Sequence, residues 1–472
     1  MKSYYRSARW RVKPHEQRYI LLLGDTLMAG LALFIALYLW AAGDQWLKRF
    51  SSEFLLARVQ FWFYFIPLVW ILLMVELYDA RRARRRRDTL TGISIAALIS
   101  AALYLVVFFI TPEDLPRRGV AIFIIAVTLL TIFWRLLYIR VFTAPQFMRR
   151  VLIVGAGKSG MALLDVLKDI WPQPFYLVGL IDDDPKKIGL KLCDYPVLGG
   201  SSCLLKVIEE ESITDLILSI SGEMNGTMFQ AILDTQERGI DITTMPVVYE
   251  DLLGRVPIFL LETDWIVRSF VDQARTSFLY EIGKRLVDIV GGLVGVLLMI
   301  PFFSILVIAI ALDSGFPIFF LQNRLGKSGK LYKIIKFRTM SQDAEKDGIV
   351  RVTTENDSRI TRVGWFLRKT HLDEWPQFIN VLKGEMSLVG PRAERSELVH
   401  DLQLKIPFYR ARLLIKPGIT GWAQVNFGYA ATIEDTAVKL EYDLYYIKHR
   451  NLIMDLVILL RTVGSVVGFR GQ

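Results

Sequence analysis

The stretch VLIVGAGKSG, residues 151–160, decides the fold of the middle of this chain. Apolar residues suited to a short buried strand run into a glycine-rich turn, and a helix is predicted over residues 161–170. Gly155, Gly157 and Gly160 match the pattern G-x-G-x-x-G, which lets the backbone approach a pyrophosphate at a helix N-terminus. The stretch therefore predicts the opening of a Rossmann-like unit.

The chain after this stretch continues the same alternation of strands and helices. Three further strands are predicted at residues 176–181, 215–220 and 240–245. The first of these three, residues 176–181, runs into Asp182, where such folds place a carboxylate that binds ribose. We therefore predict a Rossmann-like α/β domain over residues 149–275. Two interpretations stay open: NAD or another nucleotide held by the three glycines and Asp182, or glycines that serve only tight packing of strand and helix.

The composition places this domain in a membrane protein. The 472 residues are 53% hydrophobic and 22% charged, with a mean hydropathy of +0.37. Together with several long apolar runs, these values exclude a disordered protein, a disulfide scaffold and a simple cytosolic enzyme. The two cysteines, Cys193 and Cys203, have neither the spacing nor the histidine neighbours of a redox pair or a zinc site.

Four apolar runs precede the middle domain, and each is close to the roughly 20 residues that cross a bilayer as a helix. They are residues 19–40, 61–77, 93–110 and 121–138. The first run is too long for a signal-peptide core, so we predict a four-helix transmembrane domain over residues 1–148. The run RRARRRR, residues 81–87, lies between the second and third helices. By the positive-inside rule it places the middle and C-terminal parts in the cytoplasm, and its position favours a topology signal or a lipid contact over nucleic acid.

A fifth apolar segment, residues 286–312, is long enough to span but contains Pro301 near its middle. A full crossing would separate the middle domain and the C-terminal third by the membrane. Proline removes a backbone donor and clashes with the preceding turn, so we expect the helix to kink or break there. We predict a re-entrant helix over residues 284–312, with a kinked spanning helix as the alternative.

The C-terminal third carries five blocks that are dense in charged residues and turn residues. They are QNRLG at 322–326, KFRTM at 336–340, RITRVGWFLRKTHLDEWPQFIN at 359–380, KGEMSLVGPR at 383–392 and KPGITGWAQVN at 416–426. Within the third block, Asp373 and Glu374 are adjacent carboxylates that follow Arg368, Lys369 and His371. Neighbouring positive charge should keep at least one of them ionised, which suits a nucleophile and a metal ligand. An ordinary solvated pair of acidic residues is the alternative.

In order and spacing, the five blocks resemble the monotopic polyprenyl-phosphate phosphoglycosyl transferases. These are the bacterial sugar transferases that start exopolysaccharide, capsule and O-antigen assembly. The likeness runs from about residue 284 to the C-terminus, and the preceding arrangement is similar to the large undecaprenyl-phosphate glucose or galactose phosphotransferases. The resemblance implies a mainly α catalytic domain over residues 276–472, at the cytoplasmic face of the bacterial inner membrane.

The resemblance also implies the reaction. A hexose 1-phosphate, from UDP-glucose or UDP-galactose, would pass to undecaprenyl phosphate through a phosphosugar on Asp373, with release of UMP. Mg²⁺ is the expected cofactor, with Glu374 and Asp373 as its ligands. A homodimer in the lipid bilayer is expected, and the Rossmann-like domain would be regulatory or structural.

The substrate-binding residues that we predict follow the same blocks. Arg368 is assigned to the transferring phosphoryl group, Lys336 and Arg338 to the diphosphate, and Arg392 to the nucleotide. Arg324 and Gln424 complete the set. A basic surface on anionic lipid is the alternative for Lys336 and Arg338.

The chain departs from the family pattern at three positions, and two other functions stay open. Trp375 stands where Leu is usual, Ala393 where Pro is common and Ile300 where Ser is frequent. The first rival function is an NAD-dependent nucleotide-sugar dehydratase or epimerase that uses the Rossmann-like domain. The second is a membrane scaffold without catalysis.

Overall fold

The computed structural model describes residues 14–44, 49–78, 80–110, 117–142, 148–220, 222–260, 278–341, 357, 359–428 and 432–467. The chain divides into two compact units, Met1–Met245 and Pro246–Gln472. The domain boundary that we predicted at residue 275 lies outside the described residues. Each unit combines long apolar helices with α/β structure, as the sequence indicates.

The first unit begins with a helical part. Its helices are α1 (Pro14–Ala42), α2 (Ser52–Ala57), α3 (Ile66–Leu73), α4 (Ala80–Ala83), α5 (Arg86–Ile110) and α6 (Arg117–Phe142). Within the described ranges, four helices are long and apolar enough to cross a membrane: Glu16–Ala42, Arg86–Leu105, Arg117–Phe142 and, in the second unit, Phe278–Ser314. The chain is therefore a membrane protein by the length and composition of its helices.

The second predicted span, residues 61–77, is not one continuous helix, and that prediction is wrong. It forms 3₁₀ turns at Phe61–Phe65 and Val75–Tyr78 on either side of the short α3. The buried side chain of Arg135 donates to the carbonyl oxygen of Leu77 at 2.7 Å and pairs with Asp25 at 2.6 Å. The backbone at Leu77 thus finds its partner on another helix instead of in an extended α3.

A six-stranded sheet follows in the first unit. Its strands are β1 (Arg150–Val154), β2 (Tyr176–Ile181), β3 (Lys191–Leu192), β4 (Tyr195–Gly199), β5 (Asp215–Leu218) and β6 (Asp241–Thr244), with helices α7 (Lys158–Asp169), α8 (Leu204–Glu210) and α9 (Gly226–Glu237) between them. The strand order is β3-β4-β2-β1-β5-β6, and only the β3–β4 pair is antiparallel. The predicted Rossmann-like alternation is confirmed. Sequence reasoning missed β3 and β4, which are short and partly exposed.

The second unit begins with α10 (Met245–Leu253) and is mainly helical. Its elements are α11 (Phe278–Ser314), β7 (Phe319–Leu325), β8 (Leu331–Phe337), α12 (Arg362–Lys369), α13 (Gln377–Lys383), β9 (Ser387–Val389), α14 (Ser396–Lys405), β10 (Gly418–Thr420), α15 (Trp422–Asn426), α16 (Ile433–His449) and α17 (Leu452–Val467). Strands β7 and β8 form an antiparallel hairpin, and β9 pairs with β10 in parallel. The last described element, α17, is a helix rich in apolar residues.

The helix α11 continues through Pro301, so the proline does not break it. One stripe of its residues is buried: Asp288, Gly292, Gly295, Met299, Leu306 and Ile310. The spacing of three, four and seven residues keeps this stripe on one face of a single helix across the proline. The opposite face is apolar and exposed, with Leu293, Leu297 and Ile305 each more than half exposed.

The buried face of α11 packs on the second unit at both ends of the helix. Near the start, Asp288 accepts hydrogen bonds of 2.9 Å from the Ser387 hydroxyl and from the Leu388 N–H. Near the end, Ile310 belongs to a buried cluster with Phe337 and Leu367. The helix therefore lies along the unit instead of leaving it at its middle.

Glu441, buried in α16, should make the stability of the second unit depend on pH. Burial raises the pKa of Glu441 to about 7 from 4.5, although Arg255 at 3.4 Å opposes the shift. The folded protein then holds a proton that the unfolded chain loses, so stability falls as pH rises from 4.5 to 7. We expect Glu441→Gln to stabilise the purified protein by about 2 kcal/mol at pH 8 and not at pH 4.5.

Thermal unfolding at a series of pH values checks this expectation. The matched control is Glu434→Gln, because Glu434 lies on the same helix but is exposed. A difference between Glu441→Gln and wild type that stays constant from pH 4.5 to 8 would contradict the prediction.

Candidate active site

Two short helices and a tight turn present the adjacent carboxylates. The helix α12 begins at Thr361, whose hydroxyl accepts from the Gly364 N–H at 3.0 Å. After it, His371 adopts a left-handed conformation with φ of 57°, and a 3₁₀ turn spans Leu372–Glu374. The next helix, α13, begins directly after its N-cap residue Pro376. This reversal leaves Asp373 and Glu374 on a turn between the two helices.

Glu374 is held by two cations from distant parts of the chain. Its Oε1 atom lies 2.8 Å from Lys336 Nζ on β8 and 2.5 Å from Arg392 Nη2 in the loop after β9. Burial opposes ionisation, but Arg392 and Lys336 outweigh it and hold the pKa of Glu374 far below its usual range. Glu374 is therefore a carboxylate at neutral pH.

Asp373 has the opposite environment. Its side chain is buried, and burial together with the charge of Glu374 raises its pKa, against the effects of Lys336, Arg392 and Arg368. Among the residues that the structure describes, none makes a hydrogen bond or ion pair to its carboxylate. The site thus contains one carboxylate that is fully held and one whose oxygen atoms are available.

Two further arginines, one on α12 and one just after β8, belong to the predicted substrate-binding set. Arg368, on α12, donates from Nε to the Thr339 hydroxyl at 3.0 Å, and burial lowers its pKa. Arg338, just after β8, has a buried Nη1 without a hydrogen-bond partner in the described structure. Guanidinium donors that the protein leaves unused are suited to an anionic ligand.

A small cavity adjoins Glu374 and is lined by three of the six predicted substrate-binding residues, Arg324, Lys336 and Arg392. Its lining includes Arg324, Lys336, Glu374, Gln377, Arg392 and Gly418. Arg324, on β7, donates to the Ala393 carbonyl at 3.1 Å and to Gln322 Oε1 at 2.6 Å. Residues from both hairpin strands, the turn and the loop after β9 therefore meet at one place.

Gln377 is a cavity residue that sequence reasoning missed. It is 2% exposed, and its Nε2 is buried without a hydrogen-bond partner among the residues described. It follows Glu374 by three residues, the spacing that places two side chains on one face of a helical turn. This three-residue spacing is the sequence feature from which Gln377 could have been predicted.

Gln424 lies in a different place from the cavity residues. Its Nε2 donates to the Ile419 carbonyl at 3.1 Å, and its Oε1 is buried without a partner in the described structure. No described contact joins it to Asp373 or Glu374. Its assignment to the substrate stays a prediction.

The two carboxylates are compatible with one Mg²⁺ ion that also binds substrate phosphates. In the described ranges, no group of three or more acidic, cysteine or histidine side chains forms a protein metal cage. Mg²⁺ in phosphate-binding sites commonly needs only one or two carboxylates. Within the described residues Asp373 has no hydrogen-bond or ion-pair partner and Glu374 Oε2 has a single 3.4 Å contact, with Arg392, so oxygen atoms remain for the ion.

The glycine turn of the Rossmann-like domain has a structural role of its own. Gly155 has a φ of +105°, and a Cβ atom at Gly160 would clash with the Gly155 carbonyl. Asp182, the predicted ribose ligand, accepts from the Ala156 N–H at 2.7 Å and from Lys187 Nζ at 3.0 Å. Its carboxylate therefore holds the turn together. The residues do not present a free ribose-binding carboxylate, and nucleotide binding here stays a prediction.

Comparison with known proteins divides the chain in a similar way. Residues 279–469 match the family model of the bacterial sugar transferases, and residues 74–246 match a model described as a CoA-binding domain. An exopolysaccharide production protein from Rhizobium leguminosarum is 39% identical over 191 residues, which are 39% of this chain and 94% of that protein.

Two longer relatives carry more specific names. A UDP-N-acetylgalactosamine-undecaprenyl-phosphate N-acetylgalactosaminephosphotransferase from Aeromonas hydrophila is 41% identical over 47% of this chain. A UDP-glucose:undecaprenyl-phosphate glucose-1-phosphate transferase from Escherichia coli is 44% identical over 38% of this chain. The chain spans 51% and 39% of the lengths of these two relatives.

The unpartnered amide of Gln377 allows a test of whether this residue serves a ligand or the fold. Burying an amide without a partner costs about 1–3 kcal/mol, so Gln377→Met should raise the free energy of unfolding by about 1 kcal/mol. Chemical unfolding of the purified protein measures the change.

The matched control is Asn380→Leu, on the same helix α13. Asn380 is fully buried, donates to the Lys333 carbonyl at 2.8 Å and accepts from the Ile335 N–H at 3.1 Å. Losing these bonds should lower the free energy of unfolding by about 2 kcal/mol or more. If both variants are equally destabilised, Gln377 serves the fold and the prediction is wrong.

Proposed function

Because the chain belongs to the family of bacterial sugar transferases, we propose that it transfers a sugar 1-phosphate from a UDP-sugar to undecaprenyl phosphate and releases UMP. The names of its relatives support the two substrates. The observation that carries the proposal is the pair of unlike carboxylates. Asp373 is buried and unpaired within the described structure, while Glu374 beside it is held by Lys336 and Arg392.

The donor diphosphate would bind where the cations converge. Arg338 has an unused guanidinium N–H, and Arg368 shares one nitrogen with Thr339 while its remaining N–H groups carry no described bond. Lys336 and Arg392 both contact Glu374. Phosphoryl transfer depends mainly on positioning and on neutralising oxygen charge, which such an arrangement provides.

The reaction then proceeds in two displacements at one phosphorus atom. A carboxylate oxygen of Asp373 attacks the phosphorus that bears the sugar, and the bond to the bridging oxygen breaks, so UMP leaves with that electron pair. A phosphate oxygen of the acceptor lipid next attacks the same phosphorus. The Asp373–phosphorus bond breaks, the carboxylate is restored, and a lipid diphosphate sugar is formed.

The environment of Asp373 suits this role. Burial removes water from the carboxylate and raises its pKa, which makes the ionised form a stronger nucleophile. Glu374 keeps Lys336 and Arg392 in place without competing for the phosphorus. Mg²⁺ held by Glu374 and Asp373 would neutralise diphosphate charge and stabilise the leaving UMP.

Replacing Asp373 tests the proposal directly. UMP release from a panel of UDP-hexoses, with Mg²⁺ and undecaprenyl phosphate, should depend on the lipid and fall by about 10³-fold or more in Asp373→Asn. Asp401→Asn, an exposed carboxylate on α14, is the control and should retain activity. The panel should include UDP-glucose, UDP-galactose and UDP-N-acetylgalactosamine, so that the best donor identifies the sugar.

Three other outcomes would contradict the proposal. UMP release that survives in Asp373→Asn excludes the covalent role. Folded wild-type protein that releases no UMP from any donor excludes the transferase and returns attention to the Rossmann-like domain. A cellular role that persists without Asp373 favours a scaffold.

We propose that the second unit lies at the cytoplasmic face of the bacterial inner membrane, with both ends of α11 on that face. The support is the buried stripe of α11, which contacts the same unit from Asp288 to Ile310. The exposed apolar face would then lie in lipid. A helix that crossed the bilayer would expose its second half to lipid on all sides instead.

Labelling of the two ends of α11 distinguishes these topologies. Single cysteines at the exposed positions Leu279 and Leu312, with Cys193 and Cys203 replaced by serine, should both react with an impermeant maleimide in inverted membrane vesicles. Neither should react in spheroplasts. If one end is labelled only in inverted vesicles and the other only in spheroplasts, α11 spans the membrane and the proposed topology is wrong.

A further inference from the structure

Two aromatic rings join the membrane-facing helix to the turn that carries Asp373. Phe302 on α11 stacks on Trp375, with ring centroids 6.1 Å apart and planes at 28°. Trp375 follows Asp373 by two residues and closes the 3₁₀ turn through its N–H bond to the Leu372 carbonyl. The mechanism described above uses neither ring.

The two rings differ in their surroundings. Trp375 is half-buried and packs on the cluster that includes Leu367 and Ile310. Phe302 is 52% exposed on the apolar face of α11, between Leu298 and Ile305, which are more exposed still. The pair therefore forms a continuous apolar path from the exposed face of the helix to the turn beside Asp373.

We propose that Phe302 and Trp375 bind the first isoprene units of the acceptor lipid and so set its phosphate against Asp373. This inference rests on the proposed function, because it assigns the acceptor side of the same site. The acceptor combines an apolar chain with a phosphate, and its reacting oxygen must reach Asp373 while its chain stays in apolar surroundings. The polar donor does not need an apolar path, because the cations that would bind its diphosphate lie around Glu374.

Aromatic side chains suit this task. They offer a large, rigid apolar surface at little cost in conformational entropy, and their stacking keeps both rings in one orientation. Because Trp375 belongs to the same turn as Asp373, lipid contact with its ring fixes the distance between chain and nucleophile. Trp375 and Phe302 would then be positioning residues for the acceptor.

Kinetics with separated substrates test the inference. With saturating UDP-sugar, Trp375→Leu should raise the KM for undecaprenyl phosphate about tenfold and change the KM for the donor by less than about twofold. Phe302→Leu should also raise the KM for undecaprenyl phosphate. In the double variant this KM should rise by less than the product of the two single-variant increases. Trp375→Phe should restore most of the wild-type KM.

The control is Trp365→Leu. Trp365 is 56% exposed on α12, where Lys369 lies over its ring, and it is separated from Asp373 by eight positions. Its replacement should leave the KM for the acceptor unchanged. A water-soluble phosphate with a chain too short to reach the rings should be used equally well by wild type and Trp375→Leu.

Several results would overturn the inference. Equal changes in the KM for donor and acceptor would show that Trp375 only supports the turn. An equal effect of Trp365→Leu would show general membrane anchoring. Wild-type protein without UMP release would fail the proposed function itself, whereas active variants with an unchanged acceptor KM would leave that function intact and reject only the aromatic path.

Discussion

The candidate site in the second unit depends on the ion pairs of one carboxylate. Glu374 joins the hairpin through Lys336, the loop after β9 through Arg392, and the turn on which it stands. Charged groups that are partly removed from water are stable only while they are paired, and removing one partner leaves the other charge without compensation. Because Glu374 takes both cations, the neighbouring Asp373 is left without a described partner. The division of labour between the two carboxylates follows from this one arrangement.

The helix α11 packs on the elements that carry this arrangement. Arg285 donates to the carbonyl oxygens of Val381 and Leu382 at the end of α13, and Gly295 leaves room for the Phe378 ring. Asp288 holds β9 in the same way. The helix that begins directly after the turn at Leu372–Glu374 is thus docked on an apolar helix whose other face is exposed. A site built on these contacts lies close to that exposed apolar face.

Charge inside the first unit shapes its fold differently. Asp25 and Arg135 are fully buried and paired, and Arg135 also takes the carbonyl of Leu77. Buried ion pairs contribute little net stability, but breaking one is costly. This pair therefore favours one arrangement of α1, α6 and the 3₁₀ turn at Val75–Tyr78 over a longer apolar helix. A hydropathy profile cannot reveal this ion pair, because each of its two residues is a single charged position within an apolar run.

The sequence by itself determined what depends on neighbouring residues. Strand β1, the glycine turn and α7 follow from local periodicity, α11 follows from its apolar length, and adjacency brings Asp373 and Glu374 together. Only the tertiary structure decided which cations meet Glu374, since Lys336 and Arg392 stand 38 and 18 residues away. The tertiary structure also pairs Asp182 with the glycine turn and ends α3 at Leu73. Among the described residues it leaves the Gln377 amide nitrogen without a hydrogen-bond partner. Periodicity and steric preference act over a few residues, whereas these outcomes depend on which distant groups the packed core brings within hydrogen-bond distance.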